Sequence, residues 1–94
     1  MFVTTVEGTV EAAREAELRS AWEDASVALP AGLIESFLLH AEDETWRIVT
    51  VWESKEAVAA LRASGQPTAR TMFERAGSAA SLSTWTVEAR VGAS

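Results

Sequence analysis

The order of predicted elements indicates an α+β fold in which an antiparallel sheet of four strands carries its helices on one face. Strand-like and helix-like periods follow one another as β-α-β-β-α-α-β, Pro and Gly separate them, and the order divides into two split βαβ halves. The 94 residues are expected to form a single domain, 1–94. Helices that cover one face leave the other face in need of a partner.

The stretch from Thr45 to Ser54 predicts the central strand and the start of a helix. Most of its residues are β-branched or Trp, types that fit a pleated and half-buried surface, and large apolar groups fall on both faces. Ser54 then offers a hydroxyl that can cap the helix opening at Lys55. We therefore expect both faces of this strand to be covered.

Two elements are predicted before the hairpin that contains this strand. Phe2 to Val6 is β-prone and closed by Gly8, and an amphipathic helix follows from about Glu11 to Ala28. Pro30 and Gly32 are expected to stop this helix. Its apolar stripe consists of Leu18, Ala21, Trp22, Ala25 and Leu29.

Leu33 to His40 predicts the second strand, joined to the central strand by the acidic turn Ala41 to Glu44. With an even number of loop residues, the numbers of paired residues sum to 87, which places Glu35 beside Trp52 on one face. An odd loop or a bulge would shift this pairing.

The second half of the chain predicts two helices and a last strand. The helix that follows Ser54 is broken at Ser64-Gly65, and Pro67 is expected to be the first residue of the next helix, which Gly77 ends. Leu82 to Val91 alternates between apolar and polar residues and predicts the fourth strand. The end, 92–94, is expected to fray.

Composition narrows the classes of partner. Eight Lys and Arg stand against 14 Asp and Glu, so the formal charge of −6 disfavours nucleic acid. Without cysteine the chain has no disulfide and no thiolate site. The start lacks a basic region and a long apolar run, so neither a signal peptide nor a membrane span is expected, and a cytoplasmic location is the default. Because 48% of the residues are hydrophobic, we expect a homodimer.

Several motifs resemble the antibiotic biosynthesis monooxygenase (ABM)-like family. They are the run Ile48 to Ala57, the turn Gly65 to Thr68, Met72-Phe73-Glu74 and Ala76-Gly77, and the resemblance covers nearly the whole chain. It implies a ferredoxin-like subunit of the dimeric α+β barrels, whose open sheet face packs against that of its twin. It also implies a pocket between the sheet and the helices of each subunit.

The same resemblance implies one of two activities. Some members oxidise aromatic polyketides or quinols without a cofactor, whereas others degrade haem with an Asn on the first strand and a Trp and a His near the second helix. This chain has no Asn, Leu61 stands about where that Trp would be, and no His follows. Quinol-type members often carry His or Tyr after Trp-Glu-Ser, where this chain offers Arg62, Arg70 and Thr71.

The candidate catalytic residue is His40, the sole histidine, as a general base. The alternative is a solvent-facing histidine at a strand end. The candidate substrate-binding residues are Trp22, Trp52, Phe73, Arg62 and Glu35. Aromatic rings can stack on a flat ligand and Arg can orient an anion. Alternatively the Trp residues are core or interface, Arg62 is a solvated charge, and Glu35 is exposed if the register shifts.

Two functions therefore remain open. One is a cofactor-independent monooxygenase of small aromatic or polyketide-derived phenols and quinols, in which the substrate anion activates dioxygen and the protein supplies orientation and a dry pocket. The other is a non-catalytic dimer that binds a small apolar ligand or a partner protein. No cofactor and no metal is expected, because the acidic turn Glu42-Asp43-Glu44 lacks the spacing of a calcium loop.

Overall fold

The computed structural model describes residues 1–92 and confirms the predicted α+β architecture. The expected fraying at 93 and 94 lies outside the described residues. The elements are β1 Phe2–Thr9, a 3₁₀ turn Ala12–Arg14, α1 Glu15–Ser26, β2 Leu33–His40, β3 Thr45–Trp52, α2 Lys55–Ser64, α3 Ala69–Arg75 and β4 Ala80–Thr86.

The four strands form one antiparallel sheet in the order β2-β3-β1-β4. The first and third strands lie in the middle and the second and fourth at the edges, which is the ferredoxin-like arrangement of two split βαβ units. β1 and β3 therefore carry partners on both sides, in agreement with their β-branched and aromatic composition.

The core lies between the sheet and the helices. α1 packs against α3, and α3 contacts β1 and β4, so these two helices cover one half of the sheet. Phe73 of α3 is fully buried over Gly8, where an added Cβ would lie 2.9 Å from the Phe73 ring. The other large core side chains are Val10, Leu18, Trp46 and Ile48.

The predicted register of the β2–β3 hairpin is wrong by one residue. Glu35 pairs with Val51, while Trp52 pairs with Leu33 across a bulge. The cause is an odd connection: the Ala41 N–H donates to the Thr45 carbonyl, so the loop has three residues rather than an even number. Asp43 closes it, because its carboxylate accepts the Thr45 N–H at 2.8 Å, a bond that lowers the pKa of Asp43.

Several element boundaries also differ from those predicted. β1 extends to Thr9, past Gly8, because its pairing with β4 continues to Gly8 and its pairing with β3 continues to Thr9. β4 ends at Thr86 rather than Val91, since pairing stops where its partner β1 begins at Phe2.

The helix ends are shifted as well. α1 ends at Ser26, two residues before the expected end, and Leu29 is exposed beyond it. α3 is capped by Thr68, which forms a capping box with Thr71, so Pro67 precedes the helix instead of opening it.

The other predicted caps are confirmed. The Ser54 hydroxyl accepts the Ala57 N–H at 3.3 Å and opens α2. Gly65 ends α2 with φ 76°, and Gly77 follows α3 with φ 75°, both in the left-handed region that glycine favours.

No helix of residues 1–92 covers the second side of the sheet, which is largely apolar apart from the Glu7–Arg47 ion pair and a few hydroxyls. Phe37 and Leu39 are each 46% exposed and Trp85 is 57% exposed. The Trp85 indole N–H donates to the Thr5 hydroxyl on this side at 3.2 Å. We call this surface the open face; with the three residues just named, it includes Val3, Val49 and Val51.

Two classes of site are absent from residues 1–92. None of their helices is long and apolar enough to cross a membrane. In the same range, His, Asp and Glu side chains form no group of three that could hold a metal ion.

Candidate functional site

A cavity of about 850 Å³ lies between the helix-facing side of the sheet, the end of α1, and the helices α2 and α3. α2 contacts the sheet mainly at β3, whereas α3 packs mainly on β1 and β4, so space remains between the two helices. The volume lies in the range of about 300–1,000 Å³ that is typical of small-molecule sites.

The floor of the cavity is made by residues that share the helix-facing side of the four strands. The pairing aligns them in rows that run across the sheet, since Cα partners on neighbouring strands point the same way. One row is apolar, with Leu38, Ile48, Val6 and Leu82; the next bears hydroxyls, with Ser36, Thr50, Thr4 and Thr84. All members of the apolar row except Leu38, and all members of the hydroxyl row except Thr84, line the cavity.

Hydrogen bonds hold these hydroxyls in place. The Ser36 and Thr50 hydroxyls are bonded to each other at 2.8 Å. The buried indole N–H of Trp52 donates to the Thr4 hydroxyl oxygen at 3.0 Å. The cavity therefore offers an apolar surface with a narrow polar band across it, and no group of this band is ionised at neutral pH.

Charged groups that line the cavity all belong to exposed residues, so they stand at its rim. Two are arginines, Arg62 in the last turn of α2 and Arg70 in α3, and neither makes a salt bridge with another described residue. The acidic members are Asp24, Glu35 and Glu74. Asp24 is engaged by Arg75 at 3.0 Å.

Four of the predicted site residues meet at this cavity. Trp22 of α1 and Trp52 at the end of β3 bring two indole rings to it, and Arg62 and Glu35 lie at its rim. The predicted neighbourhood of Glu35 is nevertheless wrong. In the observed register Glu35 shares a sheet side with Phe37, away from Trp52, and is exposed.

Phe73 and His40 do not line the cavity. Phe73 is fully enclosed in the core, so its ring has no surface free for a substrate. The His40 ring stacks on Trp46 with centroids 3.9 Å apart, and its Nε2–H donates to the Asp43 carbonyl at 2.9 Å. A Glu15 carboxylate oxygen lies 3.7 Å from that nitrogen. His40 thus belongs to a cluster at the hairpin end of the sheet, and its catalytic role stays a prediction.

The sequence analysis missed three residues whose hydroxyls line the cavity: Thr4, Ser36 and Thr50. Isolated Thr and Ser residues on strands carry no pattern by themselves, because Thr is common in sheets for its shape alone. The available signal was their alignment across strands, which requires the correct hairpin register.

Haem is a test case for the cavity, because relatives of the ABM-like fold include haem-degrading members. Protein ligands to haem iron are usually His, Cys or Tyr, with Met as a further ligand in cytochromes. Among the described lining residues there is no His, Cys or Tyr. The residues present therefore do not fit a haem whose iron is held by His, Cys or Tyr.

Comparisons with solved structures find proteins of the same architecture. A candidate antibiotic biosynthesis monooxygenase from Deinococcus radiodurans has a TM-score of 0.77 and 11% identity, with 100% of this chain and 99% of that chain covered. SnoaB, a cofactor-independent oxygenase from Streptomyces nogalater, has a TM-score of 0.72 and 21% identity over 96% of this chain and 95% of its own.

A third similar structure is MhuD, a haem degrader from Mycobacterium tuberculosis with two haems in its active site. Its TM-score is 0.67, with 25% identity over 98% of this chain and 100% of its own. No protein-family model matches the sequence, and a comparison with curated proteins finds no match. The similarity therefore lies in the architecture. The chain thus has the fold of the antibiotic biosynthesis monooxygenase-like proteins.

Proposed function

We propose that the chain is a cofactor-independent monooxygenase that oxidises a small aromatic phenol or quinol in the cavity between sheet and helices. The observation that carries the proposal is the cavity itself: about 850 Å³, two indole rings, and a band of hydroxyls on an apolar floor. Flat aromatic molecules match such a site, because indole rings stack on them and hydroxyls bond their ring oxygens. SnoaB, with the same fold, is a cofactor-independent oxygenase.

In the proposed reaction the substrate anion itself activates dioxygen. The phenol releases its proton to solvent, the electron-rich ring reacts with dioxygen, and a C–O bond forms at a ring carbon that carried hydrogen. Loss of water from the resulting hydroperoxide leaves a quinone, so one oxygen atom is retained and the other leaves as water. Arg62 and Arg70 at the rim favour the anion by lowering the pKa of the bound phenol.

The protein contributes orientation and exclusion of water. Trp22 and Trp52 hold the ring plane, and the apolar floor keeps water from the reacting carbon. The proposed reaction uses no metal and no organic cofactor. We propose that it takes place in the cytoplasm, the location expected from the sequence.

A second copy of the chain belongs to the proposal. The open face carries apolar side chains on all four strands, and Phe37, Leu39 and Trp85 are about half exposed. Burial of apolar surface is worth about 25 cal/mol per Å². A homodimer formed through the open faces shields these residues.

The alternative is a non-catalytic dimer that binds a small apolar ligand or a partner protein. One observation favours it: the cavity floor has no titratable group, since the charged lining residues are all exposed. A general base is thus missing at the depth where a ring would lie, and the two functions differ in whether a bound phenol consumes oxygen.

Oxygen uptake decides between them. The purified protein, freed of metal and flavin, is assayed with hydroquinones and anthrones while dioxygen and quinone are followed together. The proposal expects one dioxygen per quinone without hydrogen peroxide, and at least a tenfold loss of kcat/KM in Trp52→Ala, which removes one stacking surface. Binding of these compounds without uptake above the uncatalysed rate supports the alternative.

A matched pair of variants controls for charge. Arg62→Gln removes a rim charge, whereas Arg90→Gln removes an exposed charge beyond β4 and outside the cavity. Only Arg62→Gln is expected to move the pH profile of kcat/KM to higher pH, because the phenol then ionises less readily. Equal shifts in both variants contradict the role of the rim.

A further inference from the structure

The hydroxyl of Thr4 differs from the other hydroxyls of the cavity floor. Its residue is 7% exposed, and it lines the cavity from the central strand β1. Its oxygen accepts the indole N–H of Trp52, but no described residue accepts its own proton. A buried hydroxyl whose proton lacks an acceptor carries a cost that a suitable ligand removes.

Trp52 prepares Thr4 for this role. An indole has a single N–H, which only donates, so the bond at 3.0 Å uses the oxygen of Thr4 as an acceptor and leaves its proton free to donate. Donation to a hydroxyl oxygen polarises its O–H bond and strengthens the hydrogen bond that the hydroxyl donates next. Trp52 is 4% exposed, so its ring is held in place by packing.

The neighbouring hydroxyls are already paired. The Ser36 hydroxyl donates to the Val49 carbonyl at 3.3 Å, and the Thr50 hydroxyl can then donate to the Ser36 oxygen at 2.8 Å, so each of the two protons has an acceptor. Thr84, the last member of the row, is exposed on the edge strand and outside the cavity. Thr4 is thus the one buried hydroxyl of this row whose donor is unused among the described residues.

We infer that Thr4 donates a hydrogen bond to an oxygen atom attached to the ring of the ligand, in a chain that runs from the Trp52 N–H through the Thr4 hydroxyl to that oxygen. This inference rests on the proposed function and narrows its substrate class. The ligand carries a phenolate or carbonyl oxygen on the edge of its ring that faces β1. An aromatic hydrocarbon of the same size, which lacks this oxygen, is bound less tightly. In a phenol oxidation this bond stabilises the phenolate before oxygen reacts and the carbonyl after it.

Binding measurements without oxygen separate this inference from the oxidation. The affinities for 2-naphthol and naphthalene are measured by equilibrium dialysis under argon, for wild type, Thr4→Val and Thr4→Ser. Wild type is expected to prefer naphthol by roughly fivefold, the value of one hydrogen bond. Thr4→Val, which keeps the shape of the side chain, loses this preference; Thr4→Ser keeps it. Thr84→Val, on the same row outside the cavity, serves as the control and keeps the preference.

Trp52→Phe gives a second, independent readout. It keeps an aromatic ring but removes the N–H that orients Thr4 together with part of the stacking surface, so both affinities can fall, and the expected readout is a lower ratio of naphthol to naphthalene affinity. Trp52→Phe also provides the test of the inference if Thr4→Val does not fold.

Each outcome bears on one of the two claims. Equal affinities of wild type for the two probes, or an unchanged preference in a folded Thr4→Val, overturn the inference, as does failure of wild type to bind either probe. A lost preference in Thr4→Val without oxygen uptake by wild type supports the role of Thr4 and rejects the oxidation.

Discussion

Gly8 shows how much of the fold depends on the absence of one methyl group. It lies within β1, where a side chain would ordinarily strengthen a strand. An added Cβ would stand 2.7 Å from the Ser78 hydroxyl oxygen and 2.9 Å from the Phe73 ring. The missing side chain lets α3 approach the sheet closely, and the fully buried Phe73 fills the space.

Gly8→Ala is therefore expected to lower the free energy of unfolding by about 1–3 kcal/mol, the usual cost of overpacking a core. Gly92→Ala is the control, because no atom lies within 4 Å of its added Cβ. Urea unfolding followed by Trp fluorescence measures both. A Gly8→Ala variant as stable as wild type would show that α3 can move away from the sheet without lowering the free energy of unfolding.

At the scale of elements, the hairpin register determines which side chains reach the cavity. Helix and strand periods, the Ser54 cap and the Gly65 and Gly77 helix ends were predictable because each is a local property of a few residues. The register was not, since it depends on whether the loop is odd, and here the Asp43 carboxylate and the Thr45 N–H decide that. A shift of one residue exchanges the two sides of a strand.

The same dependence on register limited how much of the candidate site could be predicted from the sequence. Trp22, Trp52 and Arg62 were placed at the cavity by their residue types and by the resemblance. The hydroxyl row was beyond sequence analysis, because it consists of pairs on different strands. His40 was singled out for its chemistry, yet its cross-strand partner is Trp46, outside the cavity.

The start of α2 carries the prediction that belongs to this scale. Ser54→Ala removes the acceptor of the Ala57 N–H and is expected to lower the free energy of unfolding by about 1 kcal/mol. Ser54→Asp is the control, because it restores an acceptor and places negative charge at a helix N-terminus. Equal losses in the two variants, measured by urea unfolding, would exclude capping as the cause.

At the scale of the whole molecule, the two sides of the sheet differ in how their apolar residues are covered. Helices cover one side except at the cavity, and the open face has no cover from the described residues. Its aromatic and β-branched residues come from all four strands, so no single element accounts for it. An apolar surface spread over a sheet is typical of an interface between subunits.

Static light scattering is expected to give about twice the chain mass of 10.1 kDa for wild type. Phe37→Lys places a charge within the proposed interface and is expected to give monomers. Val27→Lys, at an 87% exposed position after α1, is the control and remains dimeric. Wild type that is monomeric at micromolar concentration would contradict the proposed assembly.

The two threonines in the middle of β1 serve opposite sides of the sheet: Thr4 accepts an indole proton beside the cavity, and Thr5 accepts one on the open face. The two acceptors are consecutive residues, so a ligand bound in the cavity and a second subunit bound to the open face would contact neighbouring residues of the same strand. Linkage makes such an effect mutual: if a bound ring tightens subunit association by some factor, association must tighten ring binding by the same factor.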